Sequence, residues 1–191
     1  MKFFLILFSV LCFARILYAQ KEPAFTKGNS LISAGIGIGN IWKTFLKDAF
    51  TYPPDTYKVT SKGTFTLVYE YGFINKLSGG IAIGYSEVVG KFNGFGEVFT
   101  ETLTNFSILA RANYHFGNFR RFDPYAGAGV GYYHFNYHVN KTGIVNSKVP
   151  GSLGYSAQLG IHYYFTSQMG AYAEAGYVGG SFGQIGFTYK L

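Results

Sequence analysis

The sequence has little charge, one cysteine and a single long apolar run. Charged residues make up 13% of the 191 residues, about half the share usual in soluble globular domains. Mean hydropathy is nevertheless close to neutral, which argues against a protein built of membrane-spanning helices. The only cysteine, Cys12, lies inside the apolar run near the N-terminus. These shortages exclude the two commonest classes, the ordinary soluble domain and the helical membrane protein.

The apolar run has the features of a secretory signal peptide. Lys2 supplies a positive charge, residues 3–13 form the apolar run, and Ala19 is a small residue at a cleavage position. The run is short for a membrane span, so we predict that residues 1–19 are a cleaved signal peptide and that residues 20–27 lead into the mature domain. Cleavage removes Cys12, and with it disulfide and thiolate chemistry, and lowers the formal charge from +7 to +5.

Aromatic residues and glycine are abundant, and they follow a period of two. Aromatics make up 20% of the chain, and 26 residues are glycine. Within residues 64–73, one face of a strand would carry Phe65, Leu67, Tyr69, Tyr71 and Phe73, and the other would carry Thr64, Thr66, Glu70 and Gly72 with Val68. Residues 184–191 repeat the pattern. So many aromatics on one face of successive strands are typical of a β-barrel that faces lipid.

The alternation predicts an all-β fold, an eight-stranded antiparallel up-and-down transmembrane β-barrel over residues 28–191. The expected strands are residues 28–38, 61–73, 77–87, 98–116, 124–137, 152–165, 169–178 and 181–191. Lipid offers no hydrogen-bond partners to the backbone, so such strands must close into a barrel. Long loops at 39–60, 88–97 and 138–151 alternate with short turns, which predicts external loops and periplasmic termini.

The few charges in the strands share the face opposite the aromatics. Glu70, Arg111 and Glu174 all fall on this inward face. A cation facing lipid at the bilayer midplane costs about 2–4 kcal/mol, whereas a cation in the lumen can pair with a carboxylate. We therefore predict a polar network inside the barrel in which Arg111 pairs with Glu70, Glu174 or both. The outward aromatics cluster towards the periplasmic strand ends, which predicts an interfacial girdle there.

The chain resembles the small outer-membrane β-barrel proteins of Gram-negative bacteria, the group around OmpX and the OmpA barrel domain. The resemblance rests on the signal peptide, on residues 123–131 (DPYAGAGVG) and on residues 186–191 (GFTYKL), and its style is most similar to barrels of the Bacteroidota. It implies an outer-membrane location. It also implies that Phe187, Tyr189 and Leu191 form a signal for the barrel-assembly machinery, although this signal usually ends in an aromatic residue.

Other chemistry has weaker support. Ser156, His162 and Glu174 all face inward and could form a hydrolase triad, but no nucleophile elbow is present. His134 and His138 lie about 13 Å apart on a strand, which is not metal-ligand geometry. The glycine-rich segments lack the following helix of a phosphate-binding loop. We therefore expect no cofactor, no metal and no enzyme.

We expect a structural or interaction role in the cell envelope, with loops 39–60, 88–97 and 138–151 as the contact surface. The positive charge of an exported chain points to outer-membrane lipid and lipopolysaccharide rather than to nucleic acid, and we expect a monomer. Three alternatives stay open: a narrow pore for small solutes, a lipid A-modifying enzyme, and a soluble secreted barrel.

Overall fold

The computed structural model describes residues 23–49, 57–94, 97–140 and 151–191. The predicted signal peptide and most of the lead-in lie outside the described residues. The described part of the chain contains eight strands and one helix. In chain order these are β1 (Ser30–Ile38), α1 (Ile41–Ala49), β2 (Tyr57–Ile74), β3 (Leu77–Gly94), β4 (Glu97–His115), β5 (Phe122–Val139), β6 (Ser152–Tyr164), β7 (Met169–Val178) and β8 (Ser181–Lys190).

The strands form one closed barrel in sequence order. Each strand pairs antiparallel with its neighbours, and β1 closes the sheet by pairing with β8, where Ile32 lies opposite Tyr189. Because the sheet closes, neither β1 nor β8 has an unpaired edge where these two strands pair. Lipid imposes this requirement on a sheet that spans the membrane. The prediction of an eight-stranded up-and-down barrel is confirmed.

The two faces of the wall follow the predicted alternation. On β2, Leu67 is 50% exposed whereas Val68 beside it is 6% exposed. The exposed aromatics form a belt at each end of the apolar band. The belt at the end with short turns, here the turn end, comprises Tyr71, Phe73, Tyr114, Phe116, Tyr163, Phe165 and Tyr189. The belt at the opposite, loop end, which was not predicted, comprises Phe65, Tyr85, Phe106, Tyr132, Tyr155 and Phe182. On β2 the two belts lie eight residues apart, which corresponds to about 20 Å along the barrel axis for a tilted strand. This distance is close to the height of the apolar band of outer-membrane barrels.

One side of the barrel is much taller than the other. Strands β2 to β5 are 18 or 19 residues long, whereas β1 and β6 to β8 have 9 to 13 residues. The four long strands continue past the loop-end belt as a sheet, which we call the tall sheet. The reading of residues 88–97 as a loop is therefore wrong, because β3 and β4 stay paired up to Gly94 and Glu97.

The other two predicted loops are also partly regular structure. The segment 39–60 contains α1 and the first residues of β2, and β5 continues into the segment 138–151 as far as Val139. The period-two pattern does not predict these extensions, because a strand that lies outside the bilayer does not need an apolar outer face. The remaining parts of these two predicted loops, residues 50–56 and 141–150, lie outside the described residues. Within the described residues, no helix is long and apolar enough to cross a membrane.

Candidate functional site: the plugged lumen

An ion pair crosses the middle of the lumen. Arg111 on β4 places Nη2 2.5 Å from Oε1 of Glu174 on β7, and both side chains are 2% exposed. The Tyr125 hydroxyl donates to the same carboxylate oxygen at 2.8 Å. Small residues make the room: a Cβ added at Gly129 would lie 3.1 Å from Cγ of Arg111, and one at Gly160 would lie 2.3 Å from the Tyr125 ring. Alternate inward glycines therefore let a narrow barrel hold these long side chains.

A second polar cluster closes the turn end. The two ring nitrogens of His115 face two carboxylates, Asp123 Oδ1 at 2.7 Å and Glu70 Oε1 at 3.1 Å. His162 Nδ1 lies 3.0 Å from the other oxygen of Asp123. Ser78 Oγ donates to Glu70 at 2.6 Å, and all these side chains are buried. The cluster joins β2, β3, β4, β5 and β6 around one end of the lumen.

The N-terminal lead-in covers this cluster. The ring of Phe25 stacks on the imidazole of His115, with centroids 3.5 Å apart and planes 3° apart. Ala24 donates its backbone N–H to Phe119 and accepts a hydrogen bond from Lys190 Nζ. Gly72 is required beneath the lead-in, because a Cβ there would lie 2.8 Å from the Phe25 ring. We call residues 24–25 the inner plug.

The helix α1 covers the loop end. Trp42 packs edge-on against Phe135 and Tyr133, at centroid distances of 4.7 and 5.7 Å. Leu46, one turn later, packs against Val59 and Val88 on the inner face of the tall sheet. We call Trp42 and Leu46 the outer plug.

The β7–β8 turn is the seat of the outer plug. Gly180 accepts a hydrogen bond from the backbone N–H of Ile41 at 2.9 Å. Its φ is +92°, and a Cβ added to it would lie 2.2 Å from Nε1 of Trp42. Only glycine satisfies both conditions.

An apolar core occupies part of the lumen between the outer plug and Arg111, beside a small cavity lined by Leu109, Arg111 and polar residues such as Gln184. Leu109 is 1% exposed and packs with other buried inward residues, and Trp42 packs onto the same cluster. Its buried members are Val68, Ala82, Leu103, Leu109, Tyr133 and Phe135. The lumen is thus occupied at four successive levels by the protein's own side chains.

Two of the three predicted interior residues are in contact with each other, and the third is not. Arg111 contacts Glu174, whereas Glu70 lies one level away and accepts a hydrogen bond from Asn113 Nδ2 at 2.6 Å. The strand predicted at residues 124–137 leaves out Asp123, and the sequence alone does not indicate the role of His115. A signal was available, because Asp123 falls on the inward face once β5 is extended by two residues.

The candidate triad Ser156, His162 and Glu174 does not form. His162 contacts Asp123 and Glu174 contacts Arg111. A different hydroxyl, Ser78 Oγ, does lie 2.9 Å from Nε2 of His115, in the order serine, histidine, aspartate. Both imidazole nitrogens of His115 face carboxylate oxygens, however. The ring can hydrogen-bond to both carboxylates only if each nitrogen carries a proton and donates it. It then has no lone pair to take a proton from Ser78, and the arrangement is that of a structural network.

The C-terminal residues lie on the outside of the wall. Phe187 is 72% exposed, Tyr189 42% and Leu191 65%, and the Leu191 backbone N–H donates to Ser30 at 2.9 Å. Their role as an assembly signal stays a prediction. Among the residues that the structure describes, no group of three or more histidine, cysteine or acidic side chains could hold a metal ion.

The comparisons agree with this architecture. The family model of the outer membrane protein beta-barrel domain matches residues 5–189. The chain belongs to this family. This outer-membrane barrel is similar in fold to the crystal structure of OprG from Pseudomonas aeruginosa, with a TM-score of 0.50 and 16% identity over 87% of this chain and 97% of that chain.

Two further solved barrels have the same kind of likeness. The N-terminal barrel domain of OprF from Pseudomonas aeruginosa gives a TM-score of 0.43 at 17% identity, covering 87% of this chain and 99% of that chain. Ail of Yersinia pestis, solved with the heparin analogue sucrose octasulfate, gives 0.46 at 14% identity, covering 86% of this chain and 99% of that chain. No curated protein matches the sequence.

Replacing Phe25 with Ala tests the inner plug of this outer-membrane barrel. Loss of the ring removes the stack on His115, so we expect the lead-in to detach more often and the amides of Ala24 and Gly28 to exchange hydrogen at least about tenfold faster. Hydrogen exchange in lipid nanodiscs measures this rate. Phe165→Ala is the matched control, because the Phe165 side chain is 43% exposed in the turn-end belt. Equal exchange in the two variants would show that the ring does not hold the plug.

Proposed function

We propose that this protein is a non-conducting, non-enzymatic barrel with a structural or interaction role in the outer membrane. The observation that carries the proposal is the occupied lumen. Phe25 over His115 fills the turn end, Arg111 with Glu174 fills the middle, and Trp42 fills the loop end. A solute crossing the lumen would have to displace the side chains at all three levels. The outer surface of the barrel, rather than its lumen, is therefore the part that contacts other molecules.

Among the described residues, the tall sheet and α1 form the largest structure beyond the apolar band. In barrels of the outer membrane, the long connections face outside and the short turns face the periplasm. The loop end is then external, and the contact surface consists of the tall sheet and α1 rather than of irregular loops. Phe45, which is 62% exposed on α1, belongs to this surface.

The partners that we propose follow from the wall. The exposed apolar face and the two belts contact outer-membrane lipid, and lipopolysaccharide surrounds the tall sheet. Export requires the cleaved signal peptide of residues 1–19, and insertion by the barrel-assembly machinery uses Phe187, Tyr189 and Leu191. The wall has no unpaired edge at the level where β1 pairs with β8, so the barrel needs no second copy within the bilayer, and we propose a monomer.

Conductance of the purified full-length barrel in planar bilayers tests the closed lumen. We expect no channel openings in 1 M KCl, because ions cannot pass the Arg111–Glu174 level without breaking a buried ion pair. Well-resolved unitary openings would instead support the narrow pore.

Mass spectra of lipid A from cells with and without the protein test the absence of enzymatic activity, and we expect identical spectra.

A further inference from the structure

The outer face of the tall sheet carries two lysines directly opposite each other. Lys58 on β2 pairs in register with Lys91 on β3, and both side chains are exposed and point away from the lumen. Side chains opposite each other across antiparallel strands have Cβ atoms about 5 Å apart, and like charges in this position repel. Among the described residues, neither lysine has a carboxylate within salt-bridge distance.

A neighbouring lysine on the same face is already neutralised. Lys62 Nζ lies 2.7 Å from Oε1 of Glu87, and the hydrogen bond from Lys62 lowers the pKa of the Glu87 carboxyl. Among the residues of this face that the structure describes, Lys58 and Lys91 therefore carry the positive charge that no carboxylate compensates. Thr100 on β4 lies in register beside Lys91 and adds a hydroxyl to the same row.

The height of Lys58 and Lys91 above the membrane indicates which kind of anion they can bind. Lys91 lies six residues beyond Tyr85 of the loop-end belt, which corresponds to about 15 Å along the axis of a tilted strand. The headgroup layer extends only about 5–8 Å beyond the hydrocarbon. Lys62 and Glu87 lie at the headgroup level, whereas Lys58 and Lys91 stand above it, among surface sugars.

We propose that Lys58 and Lys91 form a binding site for a phosphorylated sugar of the surface glycan. A phosphate monoester carries a charge of about −1.5 to −2 at pH 7, so one group neutralises both ammonium ions and removes their repulsion. Thr100 supplies a hydroxyl donor to the same phosphate or to the sugar. The inference rests on the proposed function, in which the tall sheet faces outside.

The experiment measures binding of dextran phosphate to the full-length barrel in phosphatidylcholine nanodiscs, with uncharged dextran as the reference polymer. Each lysine near an anionic surface contributes about fivefold in affinity, so we expect K58Q/K91Q to weaken binding by about 25-fold. The matched control K27Q/K76Q removes the same charge from two exposed lysines at the turn end, and we expect a change of less than about threefold.

Three results would overturn the inference. The first is equal loss in the two double variants, which indicates attraction to net charge alone. The second is unchanged binding in K58Q/K91Q. The third is that the difference in dextran phosphate binding between the unmodified protein and K58Q/K91Q disappears when lipid A is added to the nanodisc bilayer, which assigns the lysines to a lipid headgroup. Any of these in a barrel that stays folded and non-conducting leaves the proposed function intact.

Discussion

We expect replacement of Glu174 with Gln to lower the free energy of unfolding by about 3–5 kcal/mol, because the substitution leaves the Arg111 guanidinium buried without its counter-ion. The two groups contact at 2.5 Å with side chains only 2% exposed, so water cannot compensate. Urea unfolding in lipid vesicles, followed by circular dichroism, measures the change.

Two further variants isolate the cause. Glu87→Gln makes the same chemical change in an ion pair whose lysine side chain is 72% exposed, and we expect it to cost less than about 1 kcal/mol. The double variant R111M/E174M removes both charges and recovers most of the loss, since buried ion pairs add little net stability over apolar groups. If Glu174→Gln cost no more than Glu87→Gln, the ion pair would not be a buried element of the lumen.

Replacing Trp42 with Ala releases α1 from the barrel without unfolding the wall. The indole supplies the edge-on contacts with Phe135 and Tyr133, whereas strand pairing does not involve α1. Truncating a large buried side chain costs about 3–5 kcal/mol, and a partly exposed one costs less. We therefore expect trypsin to cleave after Lys43 and Lys47 at least about tenfold faster than in the unmodified protein.

Phe45→Ala is the matched control for the outer plug, because it removes an exposed aromatic ring from the same helix. We expect cleavage at the rate of the unmodified protein in this variant and a folded, heat-modifiable barrel in both. We also expect Trp42→Ala to stay non-conducting, since the Arg111 and Phe25 levels stay occupied. Equal cleavage of the two variants, or loss of the barrel in Trp42→Ala, would contradict the plug.

Period-two patterns predicted the wall because lipid enforces them. All eight strands, the outward face of β2 and the inward position of Arg111 follow from the cost of placing charge against hydrocarbon. The same rule fails beyond the bilayer, where the outer face of a strand meets water. The predicted loop at residues 88–97 is wrong for this reason, and Val88 is fully buried on the inner face of the tall sheet.

The contents of the lumen were less predictable for a geometric reason. Whether Arg111 meets Glu70 or Glu174 depends on distances across the closed barrel, which a linear sequence does not contain. The outer plug had a local signal, the apolar spacing of Trp42 and Leu46 by one helical turn, but the nearby prolines Pro53 and Pro54 favoured a loop. The inner plug had none, since a short polar lead-in gives no indication that Phe25 stacks on His115.

The most direct test of the account is a single-cysteine scan of residues 64–73 in bilayers that contain a lipid-soluble quencher. The native cysteine, Cys12, lies in the predicted signal peptide, so we expect the mature chain to contain no native cysteine. The account predicts strong quenching of a fluorophore at positions 65, 67, 69, 71 and 73, and weak quenching at the positions between them. Uniform quenching, or the opposite alternation, would contradict a barrel with its aromatic face in lipid and its ionic face in a plugged lumen.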